Sequence, residues 1–355
     1  MRPTVHDIAE RAGVSLATVD RVLNDRPGVR GVTRAKVEGA IAELGYVRDV
    51  AAANLAKSRV YPLVFILPEG DNPFMRGLED EVRRAGAHSM VERTQLSVVT
   101  VPAFDGRALA REIDGAIERA VAGIAAVAVD APEVLAAIGR AREAGIPFVT
   151  LVSDLANSGR DHFIGVDNIA AGRTAGSLMG RFLGERPGPV AVLAGSMRVR
   201  DHGERLEGFL AAMSAMPVSR AILPVLEGQD DPELSFGLIA KCLADVSDLA
   251  GIYSLGAGNR GLVKALAAAG AARNLCVIAH EVTDETRAAL EGGLVDAVLN
   301  QDAGHEVRSA IRVLRAKADG LPVIAAQERI RLEIFIKDNL PSEPGADDTP
   351  GAAGN

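Results

Sequence analysis

Over residues 4–45 the apolar positions recur three and four apart, whereas beyond residue 60 they gather into short unbroken runs. The first pattern predicts amphipathic helices and the second buried strands. Val5, Ile8, Ala9 and Ala12 form one helical face, which Gly13 ends. Ser15 is placed to cap a second helix, in which Val19, Val22 and Leu23 share a face and Ala17, Asp20, Arg21 and Asn24 lie opposite. Two helices this short bury too little alone. A third is expected over residues 33–44, carrying Val37, Ala40, Ile41 and Leu44 and closing at Gly45. The free face of the second helix is small and polar, a shape that suits the major groove of DNA.

The later runs are PLVFIL from 62, LSVVTV from 96, IAAVAV from 124 and IPFVTL from 146, then PVAVLA from 189, AILPVL from 221, LAGIYSL from 249, LCVIAH from 275 and VDAVLN from 295. They do not alternate in polarity, so the strands are expected to be buried on both faces in parallel sheets. Between them stand helical patterns such as Ile113, Ala116 and Ile117, or Leu135, Ile138 and Ala141. The two series predict two Rossmann-like α/β lobes with a break around residues 163–167. Ligands of such sheets collect at the carboxyl ends of the strands. Those ends carry Asn72, Phe74, Asp130, Ser153, Asp154, Arg205, Asn259, Glu281 and Gln301, each of which also suits a helix cap or a turn.

Composition narrows the class. A chain of 355 residues with 48% hydrophobic and 24% charged residues suits a globular protein of two or three domains. No apolar run approaches the roughly 20 residues of a membrane span, and no apolar secretory segment opens the chain, so a cytoplasmic protein is expected. Cys242 and Cys276 sit among apolar neighbours and are expected as buried thiols, and the six histidines show no metal-ligand spacing. Residues 1–60 carry a formal charge of +3 and the remainder −11, a distribution that favours DNA binding by one end.

The run from Thr4 to Ala56, with AGVSLATVDRVLN, VTRAKVEGAIAELGY and AAANLA, closely resembles the N-terminal module of LacI-family repressors. That resemblance implies base-reading positions at Leu16, Ala17 and Arg21, and phosphate-meeting positions at Thr4, Ser15, Thr18 and Asn24. It also implies a hinge helix at residues 50–56, with Leu55 as a wedge into the minor groove. Two residues depart from the family pattern. Asp20 replaces a small hydroxyl residue and would repel phosphate unless Arg21 or another base neutralises it, and Arg48-Asp49 replaces Pro-Asn. Residues 62–340 are similar to the effector domain of the same family and to periplasmic sugar-binding proteins. The matches that carry ligand contacts there are NPF at 72, the Arg of HGERLEGF at 202, Asn259, the acid at 281 and Gln301. Glu281 stands where the family usually has Asp.

The resemblance implies a small all-α helix-turn-helix DNA-binding domain (1–46), a hinge (47–60) and an α/β two-lobe periplasmic-binding-protein-like domain (61–340). Lobe 1 would hold residues 61–163 and 302–325, and lobe 2 residues 164–301 and 326–340. The acidic tail 341–355 is expected to be disordered and carries no heptad repeat. The expected function is a homodimeric transcription regulator without cofactor, which binds operator DNA and releases or retains it according to a small effector, a sugar or polyol. Two other readings compete. One is a sugar-binding module without DNA function. The other is a dinucleotide enzyme, suggested by GAGNRG at 256–261 with Glu281 twenty residues beyond. Against the enzyme, the motif lies deep in the second lobe, and a tight strand-to-helix turn is the more economical use of its glycines. VLAGS, ending at Ser196, has no adjacent His in sequence to activate it.

Overall fold

The computed structural model describes residues 3–46, 59–89, 93–256, 258–270 and 275–341. Most of the expected hinge, including Arg48, Asp49 and Leu55, lies outside the described residues, as do Ala257 and the tail 342–355. The chain divides into two compact units after Arg59.

The first unit is three helices: α1 (Val5–Ala12), α2 (Leu16–Leu23) and α3 (Gly31–Leu44). Their shared core is Ile8, Val19, Val22, Val37 and Ala40. Gly13 and Gly45 close α1 and α3 in the left-handed region, where a side chain would be strained. Two sequence expectations shift. Val5 is exposed instead of packed, and α3 begins at Gly31, because Arg30 takes the extended conformation that starts the helix two residues early.

In the second unit, the first sheet has β1 (Tyr61–Pro68), β2 (Thr94–Val101), β3 (Gly123–Ala126), β4 (Phe148–Leu151) and β5 (His162–Ile164), all parallel, in the order β2-β1-β3-β4-β5. Its connecting helices are α4 (Pro73–Ser89), α5 (Gly106–Glu118) and α6 (Pro132–Glu143). The second sheet has β6 (Val190–Ala194), β7 (Leu226–Glu227), β8 (Gly251–Ser254), β9 (Cys276–His280) and β10 (Ala297–Asn300), parallel, with β11 (Glu333–Phe335) antiparallel to β10. Its helices are α7 (Asn168–Leu183), α8 (Arg200–Ser214), α9 (Pro232–Asp245), α10 (Asn259–Ala268) and α11 (Asp284–Glu291). The chain leaves the first sheet after β5 and returns with α12 (Ala303–Ala318), which packs on α4, β3 and β4. It then crosses again to place β11.

Most central strands are buried on both faces, but β2, at the sheet edge, is buried only at its ends, Thr94 and Val101, and is half-buried or exposed between them. AILPVL yields only Leu226, the first of the two residues of β7, and one bridge from Ile222 to Val190, since Pro224 has no N–H for a ladder. On α6 the buried face is Val134, Ala137, Ile138 and Ala141, which leaves Leu135 outward.

One helix contact sets the position of the later site. A Cβ on Gly172 of α7 would stand 1.9 Å from the Arg205 carbonyl oxygen, and one on Gly208 of α8 would stand 2.0 Å from the Ile169 oxygen. Only glycine at both places lets the two backbones touch. That contact brings Arg205 against Asn168 at the start of α7.

Candidate functional site

Two surfaces answer to the residues singled out in sequence. On the first unit, Thr4 and Asp7 form a reciprocal cap. The Thr4 N–H donates to Asp7 Oδ2 at 2.7 Å and the Asp7 N–H to Thr4 Oγ1 at 3.4 Å; the first of these, with the Thr4 hydroxyl bond to Asp7 Oδ2 at 2.8 Å, holds the Asp7 carboxyl below its ordinary value. Ser15 Oγ accepts from the Thr18 N–H at 3.3 Å and shares a hydrogen bond with Thr18 Oγ1 at 2.9 Å. These caps start α1 and α2 at exposed positions, so both helix N-termini are open to solvent. Leu16, Ala17 and Arg21 are exposed on α2, with Leu16 42% accessible. Asn24 donates to the Asp20 carbonyl at 2.8 Å and to Asp20 Oδ1 at 2.7 Å. Asp20 Oδ2 meets Arg26 at 3.3 Å, so the base that offsets this acid is Arg26 and not Arg21.

The second surface is a cleft of about 730 Å³ in the second unit, lined from both sheets at the carboxyl ends of their strands. The first sheet contributes residues 68–72 after β1, 101–104 after β2, 127–129 after β3 and Val152-Ser153 after β4. The second contributes Val199, Asp201 and His202 at the start of α8, residues 229–233 after β7, and Arg260 and Lys264 of α10. Ser153 is 2% exposed, lines this cleft, and among the described residues its Oγ has no hydrogen-bond partner. Asn72 works twice. Its Oδ1 accepts from the Phe74 N–H at 3.0 Å and so starts α4, while its Nδ2 donates across the cleft to Asp230 Oδ2 at 3.2 Å.

A smaller side chamber, of about 20 Å³, adjoins the cleft and shares Asn72 and Asp230 with it. Phe74, Gly256, Asn259 and Glu281 also line it. Behind it lies Arg205, the largest fully buried side chain. Its Nε donates to Asn168 Oδ1 at 2.8 Å and its Nη1 to the Leu255 carbonyl at 2.5 Å. The Nη1 contact to Glu281 Oε1 is longer, 3.4 Å, as is that from Gln301 Nε2 to the same oxygen. Arg205 Nη2, Glu281 Oε2, Gln301 Oε1 and both Glu306 carboxylate oxygens are buried without partners among the described residues. Buried polar atoms are usually paired, so this concentration marks a place where a ligand or ordered water completes the bonding.

The electrostatics follow from burial. Burial pushes the Glu281 carboxyl up to about 7, against the opposing pull of Arg205, whose guanidinium is spread over three acceptors. Burial also drives Glu306 well above its ordinary value, and the neighbouring Glu281 adds to the shift. His280 is driven well below its ordinary value by burial and by Arg205. It is therefore neutral, with Nε2 2.8 Å from the Tyr253 hydroxyl.

A titration is expected from this. A carboxyl whose folded pKa is raised binds more protons folded than unfolded between pH 4.5 and about 7, so its stabilising contribution is present at low pH and lost as pH rises through 7. Between pH 5 and 8 the wild type should lose stability relative to Glu281→Gln, by on the order of 1–3 kcal/mol. Urea unfolding at several pH values measures it; parallel curves for the two proteins would mean that Glu281 has ordinary acidity.

Not every candidate gathers here. Asp154 turns away, taking hydrogen bonds from Thr150, the Leu155 N–H and the Arg160 guanidinium. Burial pushes its carboxyl up, but these bonds outweigh it and hold it low. It locks a loop and does not line the cleft. Asp130 is exposed beyond the cleft-lining residues 127–129, near enough for its charge to act on Arg200. Asn259 lines the side chamber, but its Oδ1 accepts from Ser254 Oγ at 2.7 Å and its Nδ2 donates to the His280 carbonyl at 2.8 Å. The glycines of GAGNRG are likewise engaged in packing. A Cβ on Gly261 would stand 2.3 Å from the Pro232 oxygen of α9, so protein occupies the approach that a pyrophosphate needs. His202 does lie beside Ser196, yet its Nδ1 is 2.9 Å from the Ser196 carbonyl and does not address the hydroxyl.

Sequence reasoning missed Asp201, His202, Asp230, Arg260 and Glu306. Only Glu306 carried a signal, as an acid on the apolar face of α12 with Ala310 and Val313. It also missed that Phe104, Val152, Gln229, Asp230 and Glu281, all at strand ends beside the cleft, adopt positive φ. Non-glycine residues there cost of order 1–3 kcal/mol each, a strain that concentrates at ligand clamps. Among the described residues, no three His, Cys, Asp or Glu side chains gather to hold a metal, and no helix is long and apolar enough to cross a membrane.

Residues 63–322 match the periplasmic binding protein domain model, and residues 4–49 the model of bacterial regulatory proteins of the lacI family. The ribose operon repressor of Bacillus subtilis is 42% identical over 23% of this chain and 27% of its own length. The HTH-type transcriptional regulator MalR of Streptomyces coelicolor is 34% identical over 48% of each chain. The matched stretches thus span about a quarter and about half of the length of these two curated relatives. The chain also resembles the crystal structure of GanP, a glucose-galactose binding protein from Geobacillus stearothermophilus, with a TM-score of 0.71 and 21% identity over 80% of this chain and 100% of that one. The chain therefore belongs to the periplasmic binding protein domain family and carries at its N-terminus the helix-turn-helix domain of lacI-family bacterial regulatory proteins.

Proposed function

We propose that this protein is a DNA-binding transcription regulator whose operator affinity is set by a small polyhydroxylated effector, a sugar or polyol, held between the two sheets. The observation that carries the effector half is the buried set of unpartnered atoms on Arg205, Glu281 and Gln301 beside a 730 Å³ cleft. Neighbouring hydroxyls each offer a donor and an acceptor, and this set offers a guanidinium fork, a carboxylate and an amide. Ser153 and Asn72 line the adjoining cleft from the first sheet, and Asn72 shares the side chamber with Glu281. For the DNA half, α2 would present Leu16, Ala17 and Arg21 to base edges while the capped ends at Thr4, Ser15 and Thr18 approach phosphates. Relatives named as a ribose operon repressor and as MalR support the same assignment.

In mechanism, effector binding would close or rotate the lobes and shift the hinge segments of a homodimer, with Leu55 leaving the minor groove. A DNA partner implies a cytoplasmic protein with no membrane role. The test is a gel shift with the DNA upstream of the gene, repeated with a panel of sugars, polyols, their phosphates, nucleobases and amino acids, beside calorimetry on the same panel. A sugar or polyol should bind and change the shift. Binding confined to nucleobases, or no shifted DNA at all, would refute the corresponding half.

A further inference from the structure

The side chamber differs in charge from a pocket built for neutral hydroxyls alone. Asp230 and Glu281 both line it. Glu281 is 4% exposed, and the second carboxylate oxygen of each, Oδ1 and Oε2, is buried with no partner among the described residues. The donors nearby are already engaged: Asn72 Nδ2 reaches Asp230 Oδ2 and Asn259 Nδ2 reaches the His280 carbonyl. Asp71, at the rim, is paired with Arg76 at 3.0 Å, and Arg260, the one base among the described residues lining the chamber, is exposed. Glu306, behind Glu281, adds a further buried carboxylate, so Arg205 stands against Glu281, Glu306 and Asp201, with the His202 ring 3.9 Å from the Asp201 carboxylate. Burial raises both Asp230 and Glu281 above their ordinary values, as expected of carboxylates short of counter-charge.

We infer that the effector carries a protonated amine, as an amino sugar or amino polyol does, and that this ammonium sits in the side chamber between Asp230, Glu281 and Phe74. The inference rests on the sugar or polyol reading above and specifies it. Three features select the group. About 20 Å³ has room for one centre of water size, which suits an ammonium and not a ring, while the adjoining cleft takes the ring. An ammonium brings three donors and a charge, whereas a hydroxyl brings one donor and no charge. A phosphate or carboxylate there would add negative charge beside Asp230 and Glu281, each of which keeps one oxygen without a partner among the described residues, and is disfavoured. Phe74 supplies an aromatic wall of the kind that tolerates a cation.

Calorimetry at pH 7 on the full chain tests this with D-glucosamine, D-galactosamine and D-mannosamine, each against its neutral parent and its N-acetyl derivative, and with ethanolamine as an amine lacking the ring. At least one amino sugar should bind tenfold or more tighter than its parent and its N-acetyl form. Asp230→Asn and, separately, Glu281→Gln should each remove most of that preference, with far-ultraviolet circular dichroism confirming the fold. A neutral parent binding as tightly as its amine overturns the inference and leaves the sugar reading intact. Ethanolamine binding without any sugar overturns the sugar reading and keeps the chamber, and no binding across the set overturns both.

Discussion

Replacing Arg205 with Ala is expected to weaken effector binding at least tenfold and to cost about 3–5 kcal/mol of folding stability. The side chain is 1% exposed and reaches Asn168, Leu255 and Glu281 at once. Truncation leaves Glu281 buried without its counter-charge and strands the Asn168 oxygen and the Leu255 carbonyl. Protonation of Glu281, already raised to about 7, offsets part of the loss, so the deficit should grow as pH rises from 6 to 8. Arg205→Lys keeps the charge but not the planar fork, and should fall between wild type and Ala. Chemical unfolding and calorimetry with whichever panel compound binds give the two readouts. An Ala variant that binds normally would remove Arg205 from the site.

Removal of residues 1–60 is expected to abolish specific DNA binding while leaving effector binding unchanged. Each unit has its own apolar core: Ile8, Val19, Val22, Val37 and Ala40 in the first, and separate clusters around both sheets in the second. The second unit therefore loses no core residue. Within the intact chain, Arg21→Ala should cost about 1–3 kcal/mol of operator affinity and relax specificity at one base position. Affinity of the wild type should fall steeply with salt as phosphate counterions are released. Gel shifts at two salt concentrations, with specific and unrelated DNA, provide the measurement. Equal DNA affinity with and without residues 1–60 would overturn the assignment.

The amino-acid sequence alone determined most of what repeats locally, with Val5, Leu135 and the run AILPVL as exceptions. The helices of the first unit were legible because three-and-four spacing, Ser15 before a helix and glycine after one are short-range signals. Unbroken apolar runs likewise marked the strands, and chain order marked two α/β series, because a strand buried on both faces needs no polar alternation. Candidate ligand residues could be named only as strand-end positions. Which of them meet was decided by the tertiary structure, since Arg205, Glu281 and Gln301 are up to 96 residues apart and converge only through sheet order and the glycine contact of α7 with α8. The same long-range packing diverted Asp154 to Arg160 and engaged the Asn259 amide with Ser254 and the His280 carbonyl of β9. It also placed Asp230, which no local pattern distinguishes from a turn residue, opposite Asn72. A side chain's partners across a cleft depend on how separate elements stack, and no repeat along the chain encodes that.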